Sequence, residues 1–112
     1  EEIIKITNFK KFINLSARSL SAGQQQLLSI MRGLVIKPNI LLLDEPCSNL
    51  DPNYTNIIEN LLKNINSAGI KIILVTHDVL QAKRLGDDIL FISNGNIKEH
   101  INNKNKNCQN LN

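Results

Sequence analysis

Two adjacent acidic residues follow a short apolar run and could hold a metal ion or act on a water molecule. The run ILLL at residues 40–43 ends in Asp44, Glu45 and Pro46, and such a run is typical of a strand buried on both faces of a parallel sheet. Ligands bind at the carboxyl ends of strands of this kind. Asp44 could hold Mg²⁺ through water, and Glu45 could orient or deprotonate a water molecule. Taken alone, the pair favours an ordinary strand end whose acids cap the next helix.

A helix start provides a second candidate, for binding an anion. Ser21, Ala22, Gly23 and Gln24 have the S-x-x-Q form of a capping box. A helix N-terminus that carries small residues presents free N–H groups to an anion. The same residues would also make a plain helix cap, so this pattern alone leaves both interpretations open.

His77 and Cys47 are reactive residues beside the predicted strand ends. His77 follows the apolar run at residues 72–75 and could contact a phosphate or an attacking water molecule, although a lone histidine is more often structural. Cys47 follows the acidic pair directly. Because no histidine or asparagine pattern supports a thiol nucleophile, Cys47 is interpreted as a small residue in a turn.

The helices that must position these residues can be recognised from apolar spacing and capping signals. The helix opened by the capping box has apolar residues at i, i+3, i+4 and i+7, and Lys37 with Pro38 ends it. Asp51 and Pro52 form a second helix start, with an N-cap acceptor before proline, and Gly69 ends that helix. The residues predicted to be buried are Leu27, Ile30, Met31 and Leu34 in the first helix and Ile57, Ile58, Leu61, Leu62 and Ile65 in the second.

Two further strands and a short helix are predicted downstream. The apolar run at residues 72–75 is typical of a buried strand, and the run at residues 89–92 predicts a third strand. Between them, Asp78 can cap a short helix that continues through Leu85 and ends at Gly86. Helices and strands therefore alternate, which predicts an α/β fold with a mostly parallel sheet and flanking helices.

The last part of the chain predicts a hairpin followed by a tail. Asn94 and Gly95 are typical of a type I′ turn, and residues 97–99 would return as the second hairpin strand. We expect residues 1–100 to form one domain. Residues 101–112 are rich in Asn and Lys and have few core-forming residues, so they are predicted to be disordered.

Composition excludes several classes of protein. The chain has 112 residues and 42% hydrophobic content, which suffices for one core. A net charge of +3 with 4% aromatic residues, the basic ones scattered, does not predict nucleic-acid binding. Cys47 and Cys108 form neither a disulfide framework nor a zinc motif. Residues 1–18 predict only short helical pieces and no signal peptide. Since the sequence begins without Met, we expect it to be a piece of something longer or the product of an interrupted gene.

In combination, the four candidate segments resemble the nucleotide-binding domain of ABC ATPases. Residues 20–24, LSAGQ, are similar to the ABC signature LSGGQ, and residues 40–45 resemble the Walker B strand with its catalytic glutamate. Residues 48–51, SNLD, resemble the D-loop, and residues 76–78, THD, resemble the switch-histidine loop. Their order and spacing make the resemblance specific, and it covers roughly residues 15–99.

The resemblance implies a function and a role for each site residue. In this family two domains meet head to tail and sandwich ATP between the Walker A loop of one and the signature of the other. By matching positions, Asp44 would support Mg²⁺, Glu45 would act on the hydrolytic water, and His77 would sense the γ-phosphate. The remaining positions implied to contact the nucleotide or the dimer interface are Ser21, Ala22, Gly23, Gln24 and Asp51.

The resemblance also implies partners and a location. The expected partners are a second ABC ATPase domain, transmembrane permease subunits and a solute-binding protein, at the cytoplasmic face of the cell membrane. Residues 44–52, DEPCSNLDP, look most like importer subunits for oxyanions such as phosphate or tungstate. Two alternatives remain. One is a soluble ABC ATPase of DNA repair or translation, and the other is a non-catalytic remnant or a split half.

The sequence departs from the family pattern in ways that bear on activity. No G-x-x-x-x-G-K-[ST] motif, the Walker A loop that cradles phosphates, occurs in the chain. We therefore expect the isolated chain to be inactive, with apolar strand faces exposed. Ala22 replaces a usual glycine, Leu27 replaces a frequent arginine, and Gly33 replaces a helix-favouring alanine at a cost of about 1 kcal/mol.

Overall fold

The computed structural model describes residues 21–103. The predictions for residues 1–18 and for residues 104–112 of the tail lie outside the described residues. The chain divides into two compact units, one that ends at Val75 and one that begins at Thr76.

The first helix, α1 (Ala22–Val35), begins at the predicted capping box. The N–H of Ser21 donates to Oε1 of Gln24 at 2.9 Å, and the N–H of Gln24 donates to Oγ of Ser21 at 3.2 Å. The helix stops before Lys37, whose φ of 53° lies in the left-handed region. Three of the four residues predicted to be buried are buried, while the fourth, Met31, is half-buried. The buried three are Leu27, Ile30 and Leu34.

Strand β1 (Ile40–Asp44) pairs in parallel with β2 (Lys71–Val75), as the alternation of elements predicted. Among residues 21–103, only one face of this pair is covered. Leu41 is buried and its Cδ1 lies near Gly33 of α1, whereas Leu42, which points the other way, is 70% exposed. The prediction that the strands are buried on both faces is therefore wrong here, and the expected exposure of an apolar face is confirmed. We call this surface the open sheet face, formed by Ile40, Leu42, Ile73 and Val75.

The open sheet face gives a prediction about solubility. Replacing Leu42 with Thr should reduce aggregation of the 112-residue chain, because it removes exposed apolar surface and introduces a β-branched residue that suits a strand. The free energy of unfolding of the Leu42→Thr variant should differ from that of the wild type by about 0.5 kcal/mol or less. Leu41→Thr, the control on the covered face, should lower that free energy by more. Light scattering and urea titration would check this, and equal effects of the two changes would contradict one-sided burial.

Helix α2 (Pro52–Ser67) has Asp51 as its N-cap and supplies four of the eight buried hydrophobic residues described in the first unit. Ile58 and Ile65 are fully buried. Ile57, also predicted to be buried, is 40% exposed, so that part of the prediction is wrong. The helix ends as predicted: Ala68 is the C-cap, and Gly69 follows with a φ of 102° that suits glycine.

The second unit contains helix α3 (Val79–Leu85), strand β3 (Asp88–Ser93) and strand β4 (Asn96–Asn102). Asp78 caps α3 and Gly86 follows it, both as predicted. Strands β3 and β4 form an antiparallel hairpin. Within residues 21–103, parallel pairing is confined to β1 and β2, and β3 pairs only with β4.

The hairpin has the predicted turn residues, but its second strand is longer than expected. Asn94 and Gly95 have φ values of 50° and 76°, as a type I′ turn requires. Strand β4 continues through Asn102, opposite Asp88, instead of ending at Glu99. Ile101 and Asn102, which the sequence assigned to the tail, thus belong to the hairpin. No helix within the described part of the chain is long and apolar enough to cross a bilayer.

Candidate functional site

The acidic pair lies where β1 ends, as its sequence position predicted. Asp44 is the last residue of the strand and is exposed. The N–H of Glu45 donates to the carbonyl of Val75 at 2.8 Å, which ties Glu45 to the end of β2. Glu45 is half-buried, and its Oε1 atom is shielded from solvent. One carboxylate therefore faces water while the other is partly enclosed, so the two can do different chemical work.

The backbone at Glu45 adopts an uncommon conformation. Its φ is 50°, in the left-handed region that costs a non-glycine residue of order 1 kcal/mol or more. The bond to Val75 holds this conformation on one side. On the other side, the carbonyl of Glu45 accepts from the N–H of Ser48 at 3.2 Å. Because strained backbone persists only where the surrounding structure enforces it, these two bonds hold the direction in which the Glu45 side chain leaves the backbone.

A short turn connects the acidic pair to Asp51. The N–H of Leu50 donates to the carbonyl of Cys47 at 3.3 Å, and Asn49 has a φ of 63°. Cys47 lies in this turn, as expected. Pro46 is buried. The turn thus has a defined course that delivers Asp51 to the start of α2.

Asp51 is the N-cap of α2. Its Oδ1 accepts from the N–H of Tyr54 at 2.8 Å, and its carbonyl accepts from the N–H of Thr55 at 2.9 Å. The first bond satisfies a donor that a helix start would otherwise leave unpaired, and the second is the first regular bond of the helix. The prediction of Asp51 as a helix cap is confirmed, whereas its role between two domains stays a prediction.

The capping role of Asp51 can be separated from its charge. Asp51→Ala should lower the free energy of unfolding of the chain by about 1 kcal/mol, because the N–H of Tyr54 loses its acceptor. Asp51→Asn should be nearly neutral, since asparagine caps helices as well as aspartate does. Urea denaturation of the three proteins checks this. Equal losses for the two variants would mean that charge, and not capping, is what stabilises the helix start.

The start of α1 presents small residues. Ser21 and Ala22 are exposed and Gly23 is buried. Helix geometry leaves the N–H groups of Ala22 and Gly23 without intrahelical acceptors. In the capping box the backbone N–H of Ser21 donates and its Oγ accepts. The hydroxyl hydrogen of Ser21 is therefore still available to donate to another group. Gln24 is committed to the cap through its Oε1.

Tyr54 is a residue of this region that sequence reasoning missed. A Cβ atom built at Gly23 would overlap with the Tyr54 ring, so the ring lies directly against Gly23. The start of α1 and the start of α2 are therefore neighbours. The only available sequence signal was an aromatic residue three positions after the predicted cap Asp51.

His77 belongs to the second unit and is exposed there. The residues on each side of it are bonded to each other, since the N–H of Asp78 donates to Oγ1 of Thr76 at 3.0 Å. Oδ1 of Asp78 also accepts from the N–H of Gln81 at 3.1 Å, which caps α3. His77 thus sits on a short segment with a fixed backbone directly before a helix.

The single exposed carboxylate of Asp44 suits Mg²⁺ better than a metal ion that needs several protein ligands. Among residues 21–103, no group of three or more His, Cys, Asp or Glu side chains could hold a metal ion. Mg²⁺ is usually held by one or two carboxylates together with water and substrate phosphates. An exposed carboxylate at a strand end fits that requirement, so Asp44 is a suitable protein ligand, direct or through water, for Mg²⁺ bound with a phosphate.

Comparisons with known proteins identify the family. Residues 7–80 match the family model described as "AAA domain, putative AbiEii toxin, Type IV TA system". The chain is 46% identical over 85 residues to the "Phosphate import ATP-binding protein PstB" of Ehrlichia ruminantium (strain Gardel), covering 76% of this chain and 33% of that protein. It is 49% identical over 90 residues to the protein of the same name from Borrelia garinii subsp. bavariensis. That match covers 80% of this chain and 34% of the relative.

Solved structures give the same type of domain. The ATP-binding cassette MJ0796, a dimer in a post-hydrolysis state bound to ADP and Pi, superposes with a TM-score of 0.74 at 33% identity. That match covers 91% of this chain and 44% of the cassette. The chain belongs to this AAA family and has the fold of an ABC-type cassette. The ADP form of the ABC cassette MJ1267 has a TM-score of 0.84 over 95% of this chain and 42% of that one, and at 22% identity it shows the shared fold alone.

The comparisons confirm the family and the α/β fold class that the ABC motifs predicted. This ABC-type chain spans about a third of the length of the curated relatives it matches. The toxin named in the family model's description does not appear in the names of those relatives, which are import proteins. The roles of the individual site residues in nucleotide chemistry stay predictions.

Proposed function

We propose that this chain is the C-terminal part of the ATP-hydrolysing subunit of an ABC importer, with phosphate as the transported oxyanion. The observation that carries the proposal is 46% identity over 85 residues with a phosphate import ATP-binding protein. The four ABC motifs and the likeness to solved ABC cassettes support it. The DNA-repair or translation alternative has no comparable support among these relatives.

The proposed chemistry divides the acidic pair. Asp44 would hold Mg²⁺, and the ion would supply positive charge beside the phosphate oxygens. Glu45 orients the water molecule that attacks the γ-phosphorus and accepts its proton. Its left-handed backbone and the enclosed Oε1 support this role, because a carboxylate held in one place can orient a water molecule.

The start of α1 is proposed to contact the γ-phosphate of ATP held by a partner domain. Oγ–H of Ser21 and the N–H groups of Ala22 and Gly23 are the donors, in a helix N-terminus that favours anions. Gln24 contributes by holding the capping box closed. Such donors act mainly by position and charge, which is how phosphoryl transfer is catalysed.

Two further residues are assigned to communication with the partner domain and the nucleotide. Asp51 is held by its capping bonds at the end of the turn that begins with Glu45, which suits a residue at a dimer interface. His77 is exposed, so it is accessible to a phosphate. The proposed partners are a second ABC ATPase domain, transmembrane permease subunits and a solute-binding protein. The proposed location is the cytoplasmic face of the cell membrane.

A split or non-catalytic form is the second candidate. The open sheet face supports it, because a separate polypeptide could cover these exposed apolar residues. The intact mass of the native polypeptide decides between the two. A mass well above 12.6 kDa means that a Walker A segment can be part of the same polypeptide. A mass near 12.6 kDa means that a separate chain must supply the Walker A loop.

The transport proposal is tested by uptake in cells. Deleting the gene should lower the uptake of radiolabelled phosphate, and a plasmid copy should restore it. Mg²⁺-dependent ATP hydrolysis by the purified native product, together with any partner that purifies with it, should accompany that restoration. Normal phosphate uptake in the deletion strain would exclude phosphate as the transported substrate. A purified product that does not hydrolyse ATP would overturn the proposal that it is an ATPase.

A further inference from the structure

The contact between Tyr54 and Gly23 links two segments that the ABC motifs place far apart in sequence. A Cβ built at Gly23 would overlap with Cγ and Cδ1 of Tyr54 and lie 2.8 Å from Cε1. Such separations do not occur between real side chains, so the ring occupies the space that any larger residue at position 23 would need. Gly23 is buried and Tyr54 is half-buried.

The backbone of Tyr54 contacts the other segment. Its N–H donates to Oδ1 of Asp51 at 2.8 Å and so holds the carboxylate of the D-loop residue. One residue therefore contacts both segments, Asp51 through its backbone and Gly23 through its ring. Since a helix is a rigid element, a ring pressed against its second residue fixes where that helix starts.

We propose that Tyr54 is a positioning residue, which sets the start of α1 at a defined place relative to Asp51. Its ring acts as a spacer that keeps Ser21 and the N–H of Gly23 aligned for an anion. Its backbone N–H holds the carboxylate of Asp51 at the same time. The consequence for catalysis rests on the proposed function, because Ser21 and Gly23 matter there as phosphate donors. The spacer itself rests only on the contact geometry.

A double-mutant cycle tests the contact without any activity measurement. Urea unfolding of the 112-residue chain would be compared for wild type, Gly23→Ala, Tyr54→Ala and the double variant. Tyr54→Ala removes the ring but keeps the N–H that bonds to Asp51. Gly23→Ala should lower the folding equilibrium constant roughly tenfold when Tyr54 is present, and should not lower it when position 54 is alanine.

Two matched variants control the cycle. Gly33→Ala adds a methyl group to the same helix, where it would meet only Cδ1 of Leu41 at 3.2 Å, so its effect should not depend on residue 54. Asn53→Ala alters the exposed neighbour of Tyr54 and should leave the effect of Gly23→Ala intact. If Gly23→Ala has the same effect whether position 54 carries tyrosine or alanine, the spacer is overturned.

The catalytic consequence is tested in the native gene product by kinetics. Tyr54→Ala should lower kcat for ATP roughly tenfold to a hundredfold, because misplacement of a positioned donor by about 1 Å has effects of that size. KM should change little, and Tyr54→Phe, which keeps the ring, should restore kcat. An unchanged kcat for Tyr54→Ala, in a protein that hydrolyses ATP, overturns the catalytic consequence. A wild-type product without hydrolysis overturns the proposed function instead, and the double-mutant cycle still decides the spacer.

Discussion

Glu45→Gln in the native gene product is expected to abolish ATP turnover while ATP-bound dimers accumulate. Glutamine has the shape of glutamate but cannot accept a proton from the attacking water, and loss of a general base typically costs roughly 10²–10⁴-fold in rate. The backbone bonds of Glu45 to Val75 and Ser48 do not involve the side chain, so the turn should keep its course. Dimers should persist because the ATP between them is not consumed.

Two measurements check this expectation. Phosphate release gives the rate, and size-exclusion chromatography with ATP gives the dimer fraction. Glu99→Gln provides a control with the same change of charge, because Glu99 lies exposed on β4, and it should hydrolyse ATP at the wild-type rate. Unchanged hydrolysis by Glu45→Gln would remove Glu45 from its proposed role and leave the acidic pair as an ordinary strand end.

The largest expected effect on stability is at Ile58. Ile58→Ala should lower the free energy of unfolding by about 2–5 kcal/mol, because it removes a fully buried side chain and leaves a cavity in the core of the first unit. Typical domains have about 5–15 kcal/mol in total, so this single change consumes much of the stability. Urea unfolding followed by circular dichroism measures the loss.

The neighbouring residue supplies the control. Ile57 is on the same helix and has the same chemistry, but it is 40% exposed. Ile57→Ala should therefore lower the free energy of unfolding by clearly less, about 1 kcal/mol. Similar losses at both positions would show that α2 is rotated relative to its described orientation and that Ile57 is part of the core after all.

The sequence alone determined the helix ends and the hairpin turn. Ser21, Asp51 and Asp78 were each recognised as helix caps, and Asn94 with Gly95 as a turn. All of these features depend on bonds or torsion angles within about four residues. Local chemistry decides such features, so no knowledge of the distant chain was needed to predict them.

The order of motifs also determined the family, because the spacing of the four segments is itself a sequence property. It placed Asp44 and Glu45 at a strand end and Asp51 at a helix start, and the structure confirms both positions. It could not indicate that Glu45 has left-handed backbone, since that conformation is imposed by the bond to Val75, thirty positions further along the chain.

Only the tertiary structure decided which face of each element is covered. Leu41 and Leu42 are the same residue type, and one is buried while the other is exposed, because helix α1 packs on a single side of the sheet pair. Ile57 and Ile58 differ for the same kind of reason. The contact of Tyr54 with Gly23 likewise joins residues 31 positions apart. Burial and ring contacts depend on where distant elements dock, and no local pattern of residues contains that information.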